Sequence, residues 1–176
     1  MAVLKEHLTA SQQVKVIEAA EKIGTYEGFD VKKIIVFMIR TGAHPSVLSN
    51  KGKSSLKVTE DNHVQWHRPK KKGGYAITRV KISKDIDPWV RDFVLQEFPS
   101  YREWFWGLCK AVGREAGIPE LSPMSLRHTF GTNMDDLGFG PADICTMMNA
   151  SLPVVVKRYC KRQERSIDEK LDKAGW

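Results

Sequence analysis

Arg127 and His128 stand side by side in SPMSLRHTFGTNM, and Tyr159 follows thirty-two residues past that arginine, inside KRYCKR. Further candidates for chemistry are the lysine run Lys70, Lys71 and Lys72, and the pair Arg40 and His44 flanking a turn. These residue types suit displacement at a phosphodiester. That reaction passes through a pentacoordinate, doubly charged phosphorus, so it needs fixed cations and planar donors around the non-bridging oxygens. Arginine donates in a bidentate fashion and keeps its charge. A tyrosine can act as nucleophile and conserve bond energy in a covalent phosphoester. Its ordinary pKa is about 10, so nearby cations or a base must help it ionise. A lysine on a hairpin can protonate the leaving oxygen. No metal cluster is evident: His63 and His67 fall on one strand face without a third ligand, so neither a metal nor another cofactor is expected.

Each candidate also has a structural alternative. A tyrosine on an amphipathic C-terminal helix commonly sits half-buried with a wet hydroxyl. Arg127 could pair with Asp135 or Asp136, eight and nine residues on. The lysine run could be a solvated hairpin tip that discourages edge-to-edge pairing. Around Tyr159, Lys157, Arg158, Lys161, Arg162 and Arg165 are candidates for neutralising phosphates. Tyr101, Trp104, Phe105 and Trp106 could stack on bases, but such clustering on a helix is read as core.

The chain that positions these residues has 176 amino acids, 41% apolar and 28% charged, which fits one domain with a proper core. A net charge of +7 favours a polyanionic partner, nucleic acid first and an acidic membrane surface second. Three scattered cysteines, Cys109, Cys145 and Cys160, argue against a disulfide scaffold and fit a reducing, cytosolic compartment. The apolar run IIVFMI from Ile34 to Ile39 is far too short to span a bilayer, and the N-terminus lacks a signal-peptide layout.

Helices are expected from just after Thr9 or Ser11, either of which can cap, to Ile23, with Gly24 as the stop, and from about Asp30 to Thr41, ended by Gly42. A short strand at Ser55–Thr59 and a hairpin of 63–70 with 75–83, tipped by KKKGG, make a small antiparallel sheet. Asp87 is expected to cap a helix opened by Pro88. Further helices are expected at 100–116, 123–137, 141–149 and 153–173. The fold class is α+β, mainly α, with a three-stranded antiparallel sheet.

The segment S-L-R-H-T-F-G-T, followed by D-D-L-G, M-N-A-S and K-R-Y, resembles the catalytic domain of tyrosine recombinases of the phage-integrase and Xer type. The resemblance runs from LTASQQ through FMIRTGAHPSVLS and the hairpin WHRPKKKGG, and covers nearly the whole chain. The style of RTG-x-HPS and RPKKK points to archaeal members. The resemblance implies that Tyr159 attacks a scissile phosphate of double-stranded DNA, leaving a 3′-phosphotyrosyl link and a free 5′-hydroxyl. It implies that Arg127 grips the phosphate beside His128, and that Lys70, or Lys71 or Lys72, is the general acid. It further implies exchange within a homo-tetramer on DNA, from a monomer in isolation, with the C-terminal helix often docking on a neighbour. The expected setting is a mobile element acting at the nucleoid. The separate N-terminal arm that usually completes the DNA clamp lies outside this chain.

Four positions depart from the family pattern. His44 stands where an arginine is usual, with Arg40 as a substitute four residues earlier. Met124 replaces a histidine, Ala150 a histidine or tryptophan, and Val47 an acidic residue. Losing one donor to a developing anion costs about 3–4 kcal/mol, so activity is expected to be reduced rather than absent. Two alternatives remain: a DNA-binding relative whose chemistry has decayed, and a type IB topoisomerase-like strand-relaxing enzyme.

Overall fold

The computed structural model describes residues 7–49, 54–69, 73–160, 169 and 171–175. The first helix, α1 (Ala10–Ile23), begins where Thr9 accepts from the Gln12 amide and the Gln12 side chain reaches back to the Thr9 N–H. This reciprocal cap satisfies two otherwise orphaned donors. A two-residue hairpin absent from the sequence reading follows: β1 (Thr25–Tyr26) pairs antiparallel with β2 (Phe29–Asp30). Asp30 then caps α2 (Val31–Thr41), whose apolar positions Val31, Ile34, Ile35 and Met38 are fully buried.

Gly42 ends α2 in the left-handed region at φ 63°. A side chain there would also collide with the Phe130 ring, at 2.3 Å from its nearest carbon, so glycine is required twice over. The turn after it carries His44 into a short helix, α3 (Ser46–Ser49). The main sheet has the order β3-β4-β5, built from β3 (Lys57–Val58), β4 (His63–Pro69) and β5 (Tyr75–Lys81). It is antiparallel throughout, with Val64 opposite Val80 and Trp66 opposite Thr78.

The helical half begins with α4 (Asp87–Phe93). Here the expected cap is displaced by one residue: Ile86 occupies the cap position without a side-chain bond, and Asp87 lies in the first turn. Its carboxylate there still complements the positive end of the helix. The segment expected as one helix from Ser100 opens instead with a π turn at Tyr101–Phe105 and continues as α5 (Trp106–Ala116). The aromatic cluster divides: Trp104 and Phe105 are core, while Trp106 is 41% exposed. Next come α6 (Pro123–Asp136), α7 (Pro141–Met148) and α8 (Leu152–Tyr159). The core is shared by helices α1 to α8 and the inner face of the sheet, with Phe37 packed at a tilt against Phe93, 4.9 Å between ring centroids. Helix α6 runs through its centre, packed against α2, α7 and α8. The three cysteines are free thiols. Among the described residues, no helix is long and apolar enough to cross a membrane.

Candidate active site

Helix α6 owes its start to a reciprocal cap between Ser122 and Ser125, with Pro123 in the first turn. One turn later this places Arg127 and His128 on its inner side. Arg127 is only 4% exposed, and its guanidinium is tied to main chain rather than to Asp135 or Asp136. One terminal nitrogen donates to the Gly42 carbonyl, and the other to the Met148 carbonyl at 2.6 Å. Burial, and then the neighbouring Arg68, lower its pKa to about 10, while Tyr159 opposes the shift. It is still a cation at neutral pH.

The end of α7 supplies the second anchor. Asn149 adopts the left-handed conformation there, at φ 48° and ψ 50°. The carbonyls at that helix end would otherwise lack partners. Met148 accepts from Arg127, and Asn149 accepts from Arg68 at 3.3 Å. Cations at a helix C-terminus are favoured by its dipole. Arg68, on β4, is thereby held against the same cavity as Arg127. Its pKa is also lowered by burial.

Tyr159 ends α8, one turn past the buried Val155. Its ring lies against Gly131 of α6, where a Cβ would come within 2.8 Å of the ring. Glycine within a helix costs about 1 kcal/mol relative to alanine, and here it clears the seat for the ring. Only 5% of Tyr159 is exposed, yet it lines the cavity. Its hydroxyl lies 2.6 Å from His128 Nδ1, and Arg158 Nη1 lies 3.0 Å from His128 Nε2.

These groups surround one cavity of about 730 Å³. Its walls carry Arg68, Arg127, Arg158, His44, His128 and Tyr159, and the described residues lining it include no carboxylate. A concave site whose described lining carries three guanidiniums and no acid has the chemistry to hold an anion. His44 contributes differently from an arginine. Burial first, then Arg68 and Arg127, lower its pKa to about 4, so it is neutral at neutral pH. Its Nδ1 accepts from the Ser46 amide at 3.2 Å, which leaves the single proton of the neutral ring on Nε2. His44 is thus a neutral donor rather than a second cation.

Of the residues singled out in the sequence, the fold gathers Arg127, His128, His44, Tyr159 and Arg158 here. Arg40 is not brought to this cavity. Although four residues from His44, it ion-pairs with Asp85 at 2.7 Å and lines a separate cavity between α1, β5 and α6. The turn at Gly42 breaks the helix between them, so the expected shared face does not exist. Lys157 is exposed and does not line the cavity. Lys70, Lys71, Lys72, Lys161, Arg162 and Arg165 lie outside the described residues. Arg68 was missed, although its signal was present: Val64, Trp66 and Arg68 alternate onto one strand face, and the first two are buried. Among the described residues, no group of three His, Cys, Asp or Glu side chains is placed to hold a metal ion.

Known structures with this arrangement of elements include the XerA recombinase, 18% identical over 96% of this chain and 64% of that one, with a TM-score of 0.64. The XerH site-specific recombinase bound to palindromic difH substrate is 16% identical, over 96% of this chain and 53% of that one, at 0.68. The catalytic domain of bacteriophage HP1 integrase is 14% identical, over 92% and 93% of the two chains, at 0.60. The chain has the fold of a tyrosine recombinase catalytic domain. It spans about two thirds of the XerA recombinase and half of XerH. No family model and no curated protein matches the sequence. Within this recombinase fold, the basic cavity is framed by α6, α7, α8, strand β4 and the turn after α2.

Proposed function

We propose that this domain cleaves and rejoins duplex DNA at specific sites through a 3′-phosphotyrosyl intermediate on Tyr159. The phenolic oxygen attacks the scissile phosphorus, a Tyr159 Oη–P bond forms, and the P–O5′ bond breaks. The leaving 5′-oxygen takes a proton from a general acid, for which Lys70 of the hairpin is the candidate, with Lys71 and Lys72 as neighbours. Attack by a 5′-hydroxyl on the phosphotyrosine reverses these steps and rejoins the strand. Arg127 and Arg68 neutralise the non-bridging oxygens, and His44 donates a neutral hydrogen bond to them. Lys157, Lys161 and Arg162 engage flanking phosphates. Exchange between duplexes requires a tetramer assembled on DNA.

One observation carries this reading: a tyrosine hydroxyl and three guanidiniums line the same cavity, with no carboxylate among its described residues. Fixed cations aimed where charge develops are the main source of rate in such chemistry. The cavity's site is also held before any ligand arrives, because Arg127 is braced by two main-chain carbonyls.

A second reading is a DNA-binding relative without turnover. It is favoured by the seating of Tyr159, which is 5% exposed, and by the neutral His44 in place of a cation. The deciding experiment uses duplex DNA carrying a nick beside the cleavage point, so that the covalent adduct cannot be religated. A protein–DNA band that resists denaturation, and disappears in Tyr159→Phe, is the expected result. DNA binding with no such band from the unaltered protein overturns the strand-cleaving reading in favour of the second.

A further inference from the structure

The contacts between Arg158, His128 and Tyr159 have a direction that follows from donor inventory alone. A guanidinium carries only donors. At 3.0 Å, Arg158 Nη1 therefore donates to His128 Nε2, which must offer its lone pair. A neutral imidazole with an unprotonated Nε2 holds its proton on Nδ1. The Nδ1 atom lies 2.6 Å from Tyr159 Oη, so His128 donates and the tyrosine oxygen accepts. Protonating both ring nitrogens would set an imidazolium N–H against a guanidinium N–H, two donors on two cations. Hydrogen bonds in such a chain polarise one another.

We infer that Arg158 is a positioning residue that acts on Tyr159 through His128. It selects the Nδ1–H tautomer, and this directs a donor at the oxygen that carries the negative charge when the phenol ionises. This reassigns Arg158 from a contact with flanking DNA to a part of the nucleophile's own support. It rests on the proposed phosphotyrosyl chemistry for its consequence, but not for its geometry. With Met124 and Ala150 lining the cavity, the imidazole that meets the nucleophile's oxygen is His128. With His128 donating, the hydroxyl proton of Tyr159 points away from the ring and leaves to water on the cavity side as the Oη–P bond forms. A hydrogen bond to the charged form of an acid favours that form.

Among the described residues, the other charged and titratable groups around the pair are Arg127 on the same helix, Arg68 from β4 and His44 from the turn after α2. A second cavity of about 400 Å³ on the far side of His128 adds Lys110 and Glu120. These groups surround the pair in the wild type and the variants alike, so the variants isolate the contribution of Arg158.

Two measurements test the relay. On DNA-free protein, 15N NMR of the His128 ring reports which nitrogen carries the proton. Nδ1–H is expected in the unaltered protein, with the population moving toward Nε2–H in Arg158→Met and restored in Arg158→Lys. A wild-type His128 protonated on Nε2, or a tautomer indifferent to Arg158→Met, overturns the inference whatever the protein does to DNA. With nicked DNA at saturating concentration, the adduct-forming rate of Arg158→Met is expected to fall roughly tenfold near neutral pH, one pKa unit's worth. It should converge with wild type above pH of about 10, where the phenol ionises unaided. A loss that is uniform across pH and cured by more DNA means that Arg158 is only a phosphate contact, and overturns the relay. Failure of the unaltered protein to form adduct instead counts against the proposed function, leaving the tautomer result to stand alone.

Discussion

Substituting Gly131 by alanine sets two known effects against each other. In a helix interior, alanine is better than glycine by about 1 kcal/mol. Against this, the new methyl carbon would lie 2.8 Å and 2.9 Å from two ring carbons of Tyr159 and 2.9 Å from Met148 Sδ, whereas ordinary contact begins near 3.4 Å. The methionine can turn aside. The ring cannot retreat without breaking the 2.6 Å bond to His128. Overpacking of this kind costs about 1–3 kcal/mol, so Gly131→Ala is expected to destabilise by up to about 2 kcal/mol. The sign should reverse once the ring is gone: in a Tyr159→Ala background, the same substitution should stabilise by up to about 1 kcal/mol. The coupling between the two sites is therefore about 1–3 kcal/mol, well above the scatter of non-interacting pairs. Urea unfolding of the four proteins, read as midpoints at constant m, measures it. Stabilisation by Gly131→Ala in the wild-type background, or the same sign in both backgrounds, would refute the seating of Tyr159 against α6.

Arg40→Ala should leave adduct formation on nicked DNA within about twofold of wild type. The Arg40–Asp85 pair is 45% and 43% exposed, so stability should change by less than about 1 kcal/mol. A hundredfold loss of adduct would restore Arg40 as a phosphate donor. His44 makes stability depend on pH, because its pKa falls from 6.5 to about 4 on folding. Between those values the unfolded chain binds a proton that the folded chain refuses. Stability is thus fully present above about pH 6.5 and declines as pH falls toward 4, by up to about 3 kcal/mol. His44→Gln should flatten that slope in urea unfolding across pH 4 to 7; parallel profiles would refute the buried, neutral imidazole.

Helix and strand periodicity and the stop at Gly42 were written locally, because apolar spacing and backbone chemistry act over a few residues. The spacing from Arg127 to Tyr159 carried the proposed chemistry and the resemblance. Other features depended on packing between distant segments. The carbonyls of Gly42 and Met148 brace Arg127 only because α2 and α7 end beside α6. Arg40 left the site because a left-handed glycine turned the chain between it and His44. Gly131 matters through a tyrosine twenty-eight residues away. The direction of the Arg158–His128–Tyr159 contacts exists only once α6 and α8 are in register, since a tautomer is chosen by whichever donor reaches the ring. Residue types determined which reactions were open to this chain; the meeting of helix ends decided which side chains stand where they can take part.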